Sequence, residues 1–171
     1  MLGWLLDRWY TTLPESPAVG RIERLVRRTA DGDEVCAEAE VDGTEGVHGD
    51  LRSPLITLAN SRVLLALAEG DQDRAARSGD QVQIDLCLDN VNLPTDGLVT
   101  IGSVILVALE ERNAPDAEFT RALGSSAAAR VRRHNRKGLG GSRRLCRVLQ
   151  GGTLHLGDKA FIKNTGVRIQ P

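Results

Sequence analysis

Short runs in which apolar and polar residues alternate, each closed by a turn bearing glycine or aspartate, recur along most of this chain and point to a mainly β architecture. Val35, Ala37, Ala39 and Val41 alternate with Cys36, Glu38 and Glu40, so that one face of the run is apolar. Upstream, residues 19–28 read as a strand around Ile22, Leu25 and Val26, with Asp31-Gly32 as the turn. Val82, Ile84, Leu86 and Leu88 repeat the two-residue period, a short strand leads to Pro94, and residues 98–109 fold about a turn at Gly102. Residues 145–149, 153–156 and 159–162 read as closing strands linked by Gly151-Gly152 and Gly157-Asp158. So many short strands are expected to form a closed β-barrel, because closure removes the edges they would otherwise expose.

Helices interrupt this pattern. Residues 54–58 form an apolar strand that runs into Asn60 or Ser61, either of which suits the cap of a short helix over 62–68. Residues 69–80 are polar and expected to be exposed. From residue 116 to 133 the period lengthens: Phe119, Leu123, Ala127 and Val131 fit a helical stripe, which Gly124-Ser125-Ser126 divides in two. This is the main helical insertion.

A chain of 171 residues suits one domain. Pro14 and Pro17 set residues 1–17 apart as an extension, leaving 18–162 as the barrel and 163–171 as a tail. The formal charge is -1 and aromatics are 3% of the chain, which removes any general electrostatic or stacking case for nucleic acid as a partner. Cys36, Cys87 and Cys146 are odd in number, without a CxxC pair or a secretory leader, and read as reduced thiols of a cytoplasmic protein. No apolar run approaches the roughly 18 residues of a membrane span. Trp4, Leu5, Leu6 and Trp9 are instead expected to pack on the barrel or on a second copy in a homodimer. His48, His134 and His155 are too dispersed to suggest a metal site.

Two residues stand out as chemical groups. In GVHGD, residues 46–50, glycines flank His48 closely enough to free its imidazole for a cleft, with Asp50 either orienting it or ordering the loop. Asp116 follows Pro115 and opens the helical period, so its carboxylate either caps the first turn or exchanges protons at a pocket mouth. A basic run from Arg130 to Arg147 ends the helical insertion. Arg136, Lys137 and Arg143 within it either form a solvated helix end or contact an anionic ligand.

The ordered blocks GVHGD, PLITLANSRVLLAL, GDQVQIDLCLDNVNLPTDGLVTIGSVILVALEERNAPD and GLGGSRRLCRVLQGGTLHLGDKAFI, over about residues 19–162, together resemble the MOSC domain. That fold is shared by the C-terminal part of molybdenum cofactor sulfurases and by small stand-alone bacterial proteins. The resemblance implies a β-barrel with a pocket for a molybdopterin-type cofactor or another phosphate- or sulfur-bearing small molecule. In many members a cysteine closing a PRxPC block ligates molybdenum or carries sulfur. Asp116, in ERNAPD, stands at that position here, and Asp85 stands where the family's ENL block has asparagine. A carboxylate cannot carry a persulfide and is a hard substitute for a soft thiolate. The resemblance thus implies a divergent small-molecule enzyme without a resident cofactor, in which Asp116, His48 and Asp85 move protons. Arg112, at the family's PR arginine, and Asn113 would hold an anionic group of the substrate. Two alternatives stay open: a protein that binds or carries the molybdenum cofactor or another anionic small molecule, and a non-catalytic scaffold.

Overall fold

The computed structural model describes residues 19–51, 54–110, 114–137 and 142–163. The chain opens with β1 (Val19–Thr29), which turns through Ala30 and Asp31 into β2 (Gly32–Cys36), bends at Ala37 into β3 (Glu38–Asp42), and returns as the two-residue β4 (Gly46–Val47). Then follow β5 (Leu55–Asn60), α1 (Ser61–Leu67), α2 (Gln72–Ala76), β6 (Val82–Ile84), β7 (Leu98–Ile101) and β8 (Val104–Ala108). The helical insertion is α3 (Ala117–Leu123) and α4 (Ser125–Arg136), after which β9 (Arg143–Gln150), β10 (Gly152–His155) and β11 (Lys159–Lys163) complete the described chain.

Seven of these strands close a ring in the order β1, β11, β7, β8, β9, β5, β6 and back to β1. Closure depends on β1, the longest strand, which serves both ends of the sheet. Val19 to Arg21 pair with β11, and Ile22 to Leu25 pair with β6 across an irregularity between Ile22 and Arg24. Gly20 permits this close crossing, since a Cβ there would lie 2.6 Å from the Asp85 carbonyl oxygen. β5 and β6 are parallel while every other neighbouring pair is antiparallel, and the parallel step is bridged by α1 and α2 as a crossover requires. The interior is filled by Ile22, Leu25, Ile56, Leu58, Val82, Ile84, Val99, Ile101, Leu106 and Val148. This is the closed, mainly β, MOSC-like barrel with four short helices among the described residues.

Two further layers complete the body. β10, β3 and β4 form a separate three-stranded sheet whose Ala39, Val41, Val47 and Leu154 pack into the barrel core. The four helices share a second core of Ala59, Leu64, Leu67, Ala75, Phe119, Leu123, Ala128 and Val131. Local signals explain the helix boundaries. Asn60 caps α1 by accepting from Arg62 N and Val63 N, and Gly124, at φ +93°, separates α3 from α4.

Four local expectations change. Residues 35–41 are not one strand, because the bend at Ala37, whose carbonyl accepts from Leu156 N at 2.8 Å, passes the chain from one sheet to the other. Val35 is consequently 58% exposed, whereas Ala39 and Val41 are buried. Strand β6 stops at Ile84, although Leu86 and Leu88 are still buried, and the segment before Pro94 is turn rather than strand. Residues 69–80 are not uniformly exposed: they include α2, and Ala75, Ser78 and Asp80 are fully buried. Gln83 explains the inward pull, since its amide donates to Ala75 O at 3.1 Å and its oxygen accepts from Arg24 at 2.5 Å.

Candidate functional site

Asp116 stands at the start of α3, exposed to solvent, with Oδ1 accepting from Phe119 N at 2.8 Å. It is therefore a helix cap, and asparagine would suit the same place. The backbone that carries it is pinned by two arginines, Arg143 donating to Ala114 O at 3.3 Å and Arg132 donating to Pro115 O at 3.1 Å. On this held backbone the bond from Phe119 N sets the direction of the carboxylate.

Beneath it lies a buried ion pair. Arg143 Nε donates to Asp80 Oδ1 at 2.7 Å, Ser78 Oγ donates to Asp80 Oδ2 at 2.8 Å, and the guanidinium stacks 4.6 Å above the Phe119 ring. Arg143 and Asp80 side chains are 1% and 0% exposed. Burial pushes the Asp80 carboxyl up, against the pull of Arg143 and Ser78, and the negative charge of Asp116 adds to the rise. Phe119 thus joins the two groups, its amide bonded to Asp116 and its ring to Arg143. Arg143 serves this internal pair and the Ala114 carbonyl. Sequence reasoning missed Asp80, because a charged residue in a polar stretch reads as surface. The small residues Ala75 and Ala76 just before it were the one sign of close packing.

His48 belongs to a different place. Register alignment of β3 with β4 pairs Val41 with Val47, so His48 falls opposite Glu40, and its N–H donates to Glu40 O at 2.9 Å. Gly49, at φ +76°, then turns the chain back. The imidazole contacts Asp42 through Nε2 at 2.6 Å and approaches Glu40 through Nδ1 at 3.3 Å. The hydrogen bond to Asp42 raises the His48 pKa against desolvation, helped by the negative charges of Asp42, Glu45 and Glu40. Asp42 is held down to about 2, first by the Glu45 amide and next by His48. Asp50 orders the loop rather than the imidazole, since its carboxylate takes the Arg28 guanidinium at 2.9–3.2 Å and Arg28 N at 2.9 Å.

His48 opens on a cleft of about 830 Å³ lined by Arg27, every residue from Glu34 to Glu40, Thr153 and His155. No described contact joins it to Asp116. Asp85 is engaged elsewhere again, paired with Arg62 at 2.5 and 2.7 Å on the outer side of α1. Arg136 and Lys137 end α4 in exposed positions. Arg112, Asn113 and the N-terminal Trp4, Leu5, Leu6 and Trp9 lie outside the described residues.

The cysteines decide how a thiolate-bound molybdenum centre would fit. Cys146 lies wholly inside the barrel, its pKa pushed up to about 12 by burial, and burial also raises Cys36 and Cys87. Cys36 lines the cleft by His48, and Cys87 follows β6. Among the described residues no three His, Cys, Asp or Glu side chains are grouped to hold a metal. This donor set does not fit a cysteine-ligated molybdenum. No helix among the described residues is long and apolar enough to cross a membrane.

No family model matches the chain, and neither does any curated protein. Solved structures do. YUAD protein from Bacillus subtilis aligns with a TM-score of 0.63 at 16% identity, covering 84% of this chain and 95% of its own. YiiM from Geobacillus stearothermophilus aligns at 0.59 and 13% identity, covering 87% and 77%, and YiiM from Escherichia coli at 0.57 and 14%, covering 88% and 72%. At such identities the likeness establishes the fold alone, a closed β-barrel.

Proposed function

We propose that the chain is an enzyme acting on a small molecule by proton transfer, with Asp116 as the acid–base group. The observation that carries this reading is the constrained, exposed carboxylate of Asp116 at the position where the resemblance puts a reactive cysteine, with both preceding carbonyls held by arginine. The carboxylate accepts a proton from an oxygen or carbon acid of the substrate and returns it to the product. Arg143 and Asp80 act as positioning residues, since they reach Asp116 through Ala114 and Phe119. Arg112 and Asn113 stand next to this segment in sequence and hold an anionic or hydroxyl group of the substrate. His48 and Asp85, committed to other partners, take no part.

Asp116→Asn separates chemistry from capping. Wild type and variant are incubated with a metabolite extract and with panels of hydroxy acids, lactones and amino acids, and consumption is followed by NMR. The wild type is expected to consume at least one compound, and the variant to do so about 10²- to 10⁴-fold more slowly. Its unfolding midpoint should stay close to that of the wild type because asparagine also caps. Equal turnover by the folded variant, or no consumption by the wild type, would reject the reading.

A further inference from the structure

The cleft beside His48 has an unusual lining. In a strand, successive side chains point to opposite faces, so a cavity against one face touches every second residue. Here the lining runs unbroken from Glu34 to Glu40 through the bend at Ala37 and takes in Arg27 of β1 and Thr153 and His155 of β10, so the cleft fills the corner where β2 passes into β3 and borders the outer edge of β2. That edge is open. Strand β2 ends its sheet, pairing only with β1 among the described residues. The two-residue turn makes Thr29 and Gly32 an exchanging pair, and alternation then directs the N–H and C=O of Asp33 and Val35 away from β1. Their partners in register agree: Arg28 N bonds to Asp50 and Val26 N to Gln81 O, so both point away from β2.

Charge selects the occupant. Glu38 and Glu40 are 72% and 70% exposed, Asp42 adjoins them, and the one arginine of the lining, Arg27, is spent on Glu34 at 2.9 Å. Glu38 faces His155 at 3.7 Å and Glu40 faces His48 at 3.3 Å, yet even with protons on both histidines the carboxylates of Glu34, Glu38, Glu40 and Asp42 outnumber the cationic groups Arg27, His48 and His155, so the cleft stays acidic. A second copy adding its own β2 would set Asp33 and Glu34 of two chains together, and like charges across a ladder are unfavourable. We propose that the open edge of β2 takes an extended basic peptide as an added strand, with alternate lysine or arginine side chains in the acidic cleft and the intervening side chains against Val35. This surface is separate from Asp116, so each proposal stands or fails alone.

The test uses the full chain and a labelled synthetic peptide of alternating arginine and valine, with an alternating glutamate and valine peptide as control. Binding is read by fluorescence anisotropy and by amide exchange. The basic peptide should bind, protect the Asp33 and Val35 amides, and weaken about tenfold when both Glu38 and Glu40 become glutamine. Val35→Pro removes an outward N–H without touching the β1 ladder, as an edge strand allows, and should also weaken binding about tenfold or more. The glutamine pair leaves the backbone intact and keeps the proposal testable if the proline variant unfolds. Equal binding of the acidic peptide, full binding by the folded variants, or wild-type dimerisation through β2 that excludes the peptide would overturn it.

Discussion

Removing the negative partner of the buried ion pair is the most searching perturbation of this fold. Asp80→Asn keeps the side-chain volume and an oxygen for Ser78, but it faces Arg143 with no charge, and the guanidinium side chain is 1% exposed. Breaking a buried pair on one side costs about 3–5 kcal/mol, because an uncompensated charge stays inside. Arg143 keeps the Ala114 carbonyl at 3.3 Å and the Phe119 ring at 4.6 Å, so the lower end, about 3 kcal/mol, is expected. At about 2–4 °C per kcal/mol for a domain of this size, the midpoint should fall by about 6–12 °C. Urea unfolding should show a lower midpoint with an unchanged slope. The reciprocal change behaves differently with pH. In Arg143→Met the buried Asp80 carboxyl is raised above its unfolded value of about 3.9, so the cost, measured against wild type at the same pH, is smallest below about pH 4 and grows as pH rises through the folded pKa. The Asp80→Leu/Arg143→Met double variant, which leaves no charge behind, should recover to within about 1 kcal/mol of wild type. An Asp80→Asn protein within about 1 kcal/mol of wild type, or a double variant as unstable as the single, would refute the view that this pair is charged and dry.

The His48–Asp42 contact gives a pH window. His48 is raised, so its contribution is complete below its unfolded pKa near 6.5 and is lost as pH rises through the folded value; Asp42 is lowered to about 2, so its contribution is complete above about pH 4 and is lost toward pH 2. The stability difference between wild type and His48→Gln should therefore be greatest between about pH 4 and 6.5, and histidine NMR titration should place His48 above its ordinary value. Thiol labelling of native protein by an aromatic disulfide should modify Cys36 and Cys87 and spare Cys146, which is fully buried and has a pKa near 12, until the chain unfolds.

The sequence by itself determined the class of fold and most of its local punctuation. Two-residue alternation in Glu38–Asp42, a cap at Asn60 or Ser61 and another at Asp116, and the break at Gly124 are short-range effects, settled by the pleat, by a side-chain oxygen within three residues, and by a glycine at positive φ. Each leaves its mark within a few positions. What tertiary structure alone decided concerns partners far apart in the chain. Asp80 reads as a surface residue until Arg143, 63 positions away, is folded against it. Gln83 reads as the polar side of a half-exposed strand until α2 covers it. The run from Val35 to Val41 keeps its alternation in sequence, yet the bend at Ala37 leaves Val35 in solvent and puts Val41 in the core, since burial depends on which sheet lies opposite. His48 and Asp116, both legible as chemical groups, fall on different elements, His48 just after β4 of the three-stranded sheet and Asp116 at the cap of α3, and no local spacing records this.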